Sequence, residues 1–201
     1  MQKSLKTLLY LSIITLFIAC NSSAQDQIND LDNFEKISWR DIDDNAIRLI
    51  GKDWMLVAAG SVETDYNMMT ASWGSLGWLW QKPVSLIYVR PQRFTHNFTE
   101  REDFYTISFY EESQKDILKK MGTVSGRNFD KMDYEKLTPV ATENGSVAFK
   151  EAYLIIECRK IYASVLDEND FVDKAIVEDM YPKKDYHTLY VGEITNVWKK
   201  K

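Results

Sequence analysis

Six short runs rich in β-branched and aromatic residues, at positions 54–60, 68–73, 84–90, 104–110, 152–165 and 188–197, constrain this chain more than any other feature. Such side chains lose little freedom on a pleated surface and pack well across it, so each run reads as a strand. Short strands at this spacing indicate a β-rich barrel or sandwich. Helical patterns are confined to 41–50, 95–101 and 113–121, the last with Ile117, Leu118 and Met121 on one face. Two stretches read as loops: 123–145, and 167–184, where Pro182 and an acidic run argue against a packed strand.

The first residues stand apart from this pattern. Lys3 and Lys6 precede an apolar run at 8–19 that is too short to span a bilayer comfortably, and small residues follow at once. Residues 1–24 therefore read as a signal peptide. Cleavage falls either before Cys20, where LFIAC resembles a lipobox with Phe17 at its leucine position, or after Ala24, where Ser22-Ser23-Ala24 offers a small-x-small site. In either case the expectation is an exported protein, periplasmic or held to a membrane only through a lipid on Cys20. A lead-in at 25–52 and a single domain at 53–201 remain. Loss of the two lysines takes the formal net charge from -5 to -7, which disfavours nucleic acid as a partner.

Several chemistries are excluded by inventory. The chain has two histidines, His96 and His187, and two cysteines, Cys20 and Cys158, and it lacks HExxH and CxxC, so no metal site is expected. No disulfide can form in the mature chain, and Cys158, in an apolar run, reads as a buried structural thiol. The eight glycines form neither GxGxxG nor a Walker loop, and GTVSG at 122–126 has its serine one place late for a nucleophile elbow.

Five segments carry a positive signal: NMMTASWGSLGWLW at 67–80, KPVSLIYVRPQRFT at 82–95, FYTISFY at 104–110, SGRNFDK at 125–131 and HTLYVGEI at 187–194. In this order they resemble the split-barrel flavin reductases, and within them the flavoredoxin-like branch, over about 54–197. The resemblance implies a mainly β (α+β) fold, a six-stranded FMN-binding split barrel with peripheral helices. It also implies a homodimer with FMN near the interface. Asn128 stands where the family usually has aspartate, so a role for that carboxylate is not carried over.

The residues themselves suit such a ligand. Asn67, Thr70 and Ser72 offer hydrogen-bonding groups where the resemblance places one edge of the flavin, although the same residue types make an ordinary polar turn. Arg90 and Arg93 bracket Pro91 ahead of a helix starting near Thr95, an arrangement suited to the FMN phosphate; the alternative is a pair of solvated charges at a strand end. Ser108 alternates with Ile107 and Phe109 and either reaches the ligand or bonds the backbone. Among Trp73, Trp78 and Trp80, Trp73 is the expected flavin contact and the other two are packing. The resemblance places Ser125, Arg127 and Lys131 on a loop near phosphate or nicotinamide, and His187 near the redox end of the site. What it implies is electron transfer from NAD(P)H through FMN to flavin or to an unknown redox protein, with positioning rather than acid–base catalysis as the protein's part. Two other readings stay open: an exported non-enzymatic FMN electron carrier, and a cofactor-free split-barrel interaction protein.

Overall fold

The computed structural model describes residues 31–201, so the leader and both cleavage alternatives lie outside the described residues. Eight antiparallel strands form the main sheet: β1 (Phe34–Ile37), β2 (Met55–Gly60), β3 (Tyr66–Ala71), β4 (Gly74–Leu79), β5 (Lys82–Val89), β6 (Phe104–Phe109), β9 (Leu154–Val165) and β10 (Thr188–Lys200). Their order is β3-β2-β6-β9-β10-β5-β4, with β1 on β10, so β3 and β4 are its two edges. A separate hairpin joins β7 (Pro139–Ala141) to β8 (Val147–Phe149).

Alternation along the strands builds two cores from one sheet. Met55, Val57 and Ala59 of β2 join Ile107, Phe109, Ile156 and Tyr190 on the inner side. The intervening Leu56 and Ala58 join Ile155 on the outer side, under the hairpin and a helix. All six residues of β2 are consequently buried. Replacing Ile107 at the inner centre with alanine is expected to cost ~2–5 kcal/mol through lost transfer energy and a residual cavity. At the bulge in β10 near Gly192, a Cβ would lie 2.4 Å from the Tyr105 hydroxyl and 2.7 Å from the Cys158 Cβ, so only glycine fits. Cys158 is a fully buried free thiol as expected, and burial pushes its pKa up to about 12.

The helices differ from expectation in instructive ways. Residues 95–101 do form one, α2 (Thr95–Arg101), and the 113–121 pattern becomes a 3-10 turn (Glu112–Gln114) followed by α3 (Lys115–Thr123). Ile117, Leu118 and Met121 are its buried face. The expected helix over 41–50 is broken into a 3-10 turn (Trp39–Asp41), a short α1 (Ala46–Arg48) and a π-turn (Leu49–Asp53). Two capping residues, Ser38 and Asn45, each start a new element there by accepting backbone N–H groups, and so interrupt a continuous run. The segment read as a loop at 167–184 holds α4 (Lys174–Met180), capped by Asp173. No residue of α4 is buried, so no apolar face marked it in the sequence. Likewise β4, with Gly74 and Gly77, lacks the composition of a strand. With β1 and β4 included, the sheet has eight strands where the resemblance implied six.

Candidate functional site

Edge strand β3, the residues just after it and the adjoining ends of β5 and β10 enclose a cleft of about 310 Å3. Thr70, Ser72, Trp73, Tyr88, Arg90, Arg93 and His187 line it. The register Leu189↔Tyr88 and Thr188↔Val89 brings His187 to the end of β5 where Arg90 follows. The cleft lining is aromatic: Trp73 packs on His187 at 4.9 Å between ring centroids, and Tyr88 meets His187 edge-on at 6.4 Å. Thr70 Oγ1 donates to the Leu118 carbonyl at 2.5 Å and so is committed to α3. As an edge strand, β3 has one row of backbone N–H and C=O groups that no neighbouring strand takes. A conjugated ring carrying carbonyls and N–H groups at its rim suits such a wall.

A second cavity of about 170 Å3 adjoins the cleft, with Arg93 common to both. Thr95, Ser125, Gly126 and Lys131 line it. Lys131 is 4% exposed, and its ammonium donates to the carbonyls of Met68 at 2.6 Å and Met121 at 3.0 Å. Arg93 Nη1 donates to the Gly122 carbonyl at 2.9 Å. Among the described residues neither cation is ion-paired with a carboxylate. Burial lowers the Arg93 pKa, and burial followed by the nearby Arg93 charge brings Lys131 down to about 8. Two partly desolvated positive charges without an acidic partner make this cavity a place for an anion.

The start of α2 takes less part in that cavity than the sequence suggested. With its amide oxygen turned toward the helix, Asn67 accepts from Thr95 Oγ1 at 2.7 Å and from the Thr95 N–H at 3.2 Å. Asn67 thus caps the helix, and Thr95 is occupied by it; both contribute wall rather than free donors. Gly126 is pressed against Asn67 and Phe94, since a Cβ there would lie 2.3 Å from the Asn67 side-chain amide and 2.5 Å from Phe94 Cδ1.

Other expected site residues divide clearly. Ser108 is a correction: its side chain shares the outer face with Leu56 and Ile155, lines neither cavity, and its buried hydroxyl has no partner among the described residues. Alternation decided this, because Ile107 and Phe109 took the inner face. Arg90 is engaged elsewhere: Nη1 contacts Asp185 Oδ2 at 2.5 Å, Nη2 donates to the Met180 carbonyl at 2.8 Å, and the guanidinium lies 5.1 Å from the Tyr181 ring. Arg127 is exposed, donates to the Gln92 carbonyl at 2.8 Å, and lines a neighbouring pocket with Phe94 and Asn128. Trp78 packs on Trp39 and Trp80 on Tyr162, both away from the cleft. Two residues that the sequence did not single out bear on the site: Tyr88 lines the cleft, and Tyr181 meets His187 from behind it. Period-two alternation from Arg90 pointed to Tyr88; nothing local marked Tyr181.

A sheet whose edge borders an aromatic-lined cleft, with a cationic cavity beside it, suits a flat-ringed, anionic cofactor. The chain belongs to the flavin reductase like domain family, whose model matches residues 47–201. Among solved structures it is similar to an FMN-binding protein from Thermus thermophilus with bound p-hydroxybenzaldehyde, at 24% identity, covering 74% of this chain and 71% of that one with a TM-score of 0.57. It is also similar to flavoredoxin from Methanosarcina acetivorans, at 20% identity over 74% and 69% of the two chains, TM-score 0.58. A third is an NADH:FAD oxidoreductase from Streptomyces globisporus in complex with NAD and FAD fragments, at 17% identity over 73% and 74%, TM-score 0.54. A search of curated proteins finds no match. The structural likenesses establish a shared fold.

Proposed function

We propose that the protein binds FMN in this site and transfers electrons through it as a flavin reductase-type oxidoreductase, from NAD(P)H to flavin or to a protein acceptor. The observation that carries the reading is the pairing of Arg93 and Lys131, without a carboxylate, beside a cleft walled by Trp73 and His187. Arg93 and Lys131, with Ser125 near them, hold the phosphate; Trp73 and the edge of β3 hold the ring. FMN supplies the chemistry by accepting a reducing equivalent and passing it on. The chain's own residues position the ring, exclude water from its face and fix the surrounding charge, with no general acid or base required. Support for FMN comes from the names of the Thermus and Methanosarcina proteins, and for NADH from that of the Streptomyces oxidoreductase.

A second reading is an FMN carrier reduced by another protein. The leader-like sequence at 1–24 favours it: a protein exported on such a leader, periplasmic or lipid-anchored at Cys20, would work away from the cytoplasmic NADH pool. In both readings two copies pair through the β4–β5 hairpin, where Trp78, Leu79 and Trp80 are exposed and Trp80 packs on the exposed Tyr162. The test is visible absorbance of the purified protein with FMN, before and after anaerobic NADH. Retained colour bleached by NADH supports the reductase; colour bleached only by dithionite supports the carrier. A protein that retains no FMN overturns both and leaves a cofactor-free interaction protein.

A further inference from the structure

The segment from Leu166 to Tyr186, which leaves the sheet after β9 and returns at β10, folds back against the cleft. Three interactions of Arg90 hold its last turn: the contacts with Asp185 and the Met180 carbonyl, and the stacking on Tyr181. Gln92 adds a fourth tie, with Nε2 at 2.5 Å from Asp185 Oδ2. The side chain held most closely by these ties is Tyr181, 4% exposed, whose hydroxyl lies 2.8 Å from His187 Nδ1. No other acceptor for that hydroxyl is found among the described residues, and a phenol is the stronger donor of the two groups. Distance alone lets either group donate, and these two points favour the phenol as donor to Nδ1.

We propose that Tyr181 is a positioning residue that fixes the His187 tautomer, so that the ring carries its proton on Nε2 and offers that N–H to a carbonyl oxygen of a bound isoalloxazine. The flavin half of this inference rests on the FMN reading above; the tautomer half does not. Nδ1 is engaged by Tyr181, which leaves Nε2 as the ring nitrogen free for a ligand in the cleft that His187 lines. Burial, and then the Arg90 charge, push the imidazole pKa down to about 4, with Asp185 opposing them. At neutral pH the ring is uncharged and has a single N–H to place, so the tyrosine decides where it goes. Added electron density on a flavin's carbonyls after reduction strengthens a hydrogen bond from a neutral donor. His187 so placed favours the reduced cofactor over the oxidised one. Arg90, expected from the sequence as a phosphate ligand, serves instead to hold Tyr181.

Long-range 1H–15N spectra of the protein labelled with 15N-histidine, flavin-free and at neutral pH, read the tautomer directly, and a His187→Gln sample separates its signals from those of His96. The expected result is an Nε2–H tautomer in the wild type and a mixture of tautomers in Tyr181→Phe. A wild-type His187 protonated on Nδ1, or a tautomer unchanged in Tyr181→Phe, overturns the proposal. Titration with oxidised and dithionite-reduced FMN tests the flavin half: Tyr181→Phe is expected to lower the ratio of reduced to oxidised affinity about tenfold, the scale of one hydrogen bond. An unchanged ratio overturns that half. Failure to bind FMN at all overturns it together with the FMN reading, and the spectra alone then decide what Tyr181 does to the ring.

Discussion

Arg93 and Lys131 reach the same helix end from different elements, the guanidinium donating to the Gly122 carbonyl at 2.9 Å and the ammonium to the neighbouring Met121 carbonyl at 3.0 Å. Cations at a helix C-terminus are favourable by up to ~1 kcal/mol at exposed positions. Desolvating two of them side by side costs more than that, and the lowered Lys131 pKa records the cost. The arrangement is stable as a waiting site for negative charge.

Anion binding here is coupled to a proton. Burial and the Arg93 charge bring the Lys131 pKa down to about 8, and a phosphate beside it, as proposed for FMN, would favour the charged form, so proton uptake on FMN binding is expected at and above about pH 8. The affinity is expected to fall as pH rises through that value. Calorimetric titration at pH 8.5 in buffers of different ionisation enthalpy measures the uptake; zero uptake contradicts the coupling. Protein stability runs the opposite way: between about 8 and 10.5 the unfolded chain holds more protons at this lysine than the folded one, so its contribution to stability rises with pH.

Gly126 permits the close approach of the loop to Asn67 and Phe94. Gly126→Ala forces that loop outward or displaces the Asn67 cap, at ~1–3 kcal/mol of overpacking. Both FMN affinity and the thermal midpoint are expected to drop, the first measured by flavin fluorescence on titration. Wild-type affinity in this variant counts against the cavity as the phosphate site.

Ser108→Ala removes a buried hydroxyl that no described residue partners. Stability is expected to hold or rise by ~1 kcal/mol, because an unsatisfied polar group leaves the outer core. FMN affinity should not change. Chemical denaturation and titration together check this, and a weakened affinity would return Ser108 to the site.

His187 governs acid sensitivity. Its folded pKa of about 4 lies below the ordinary value of 6.5, so between these values the unfolded chain binds more protons. Stability from this group is complete above about pH 6.5 and is lost as pH falls toward 4. His187→Gln should flatten that part of the stability profile, as read by denaturation midpoints from pH 7 to pH 4.

Trp80 and Gln81 both have positive φ, 50° and 60°, in the two-residue turn between the paired Leu79 and Lys82. Such a turn matches the strand twist but strains residues with a Cβ. Gln81→Gly is expected to raise stability by ~1 kcal/mol. A lowered melting temperature would show that the Gln81 side chain contributes more than its backbone costs.

Six of the eight sheet strands were legible because alternation and β-branched content survive in any register, and Ile117, Leu118 and Met121 disclosed α3 by their spacing. Trp73, Arg93, Lys131 and His187, all named from the sequence, do line the cleft or the cationic cavity beside it. What stayed hidden depended on pairings across long sequence distances. Arg90 and Arg93 look equivalent in VRPQR, and only Asp185, 95 positions away, separates their roles. Ser108 looked available because alternation does not say which side of a strand faces the ligand. The helix α4 buries nothing, so it wrote no periodicity into the chain.

The segment that carries Tyr181 departs and returns at Val165 and Thr188, two residues paired with each other on adjacent strands. A loop hung from a closed base is free of the register that fixes everything beneath it, and doubling its length costs only ~0.6 kcal/mol of closure entropy. The opposite end has no such latitude, since Asn67, Gly126 and Lys131 interlock with strand and helix backbone. One end of the cleft can therefore be remodelled at little cost in the sheet, while the other is held to one arrangement of its charged side chains.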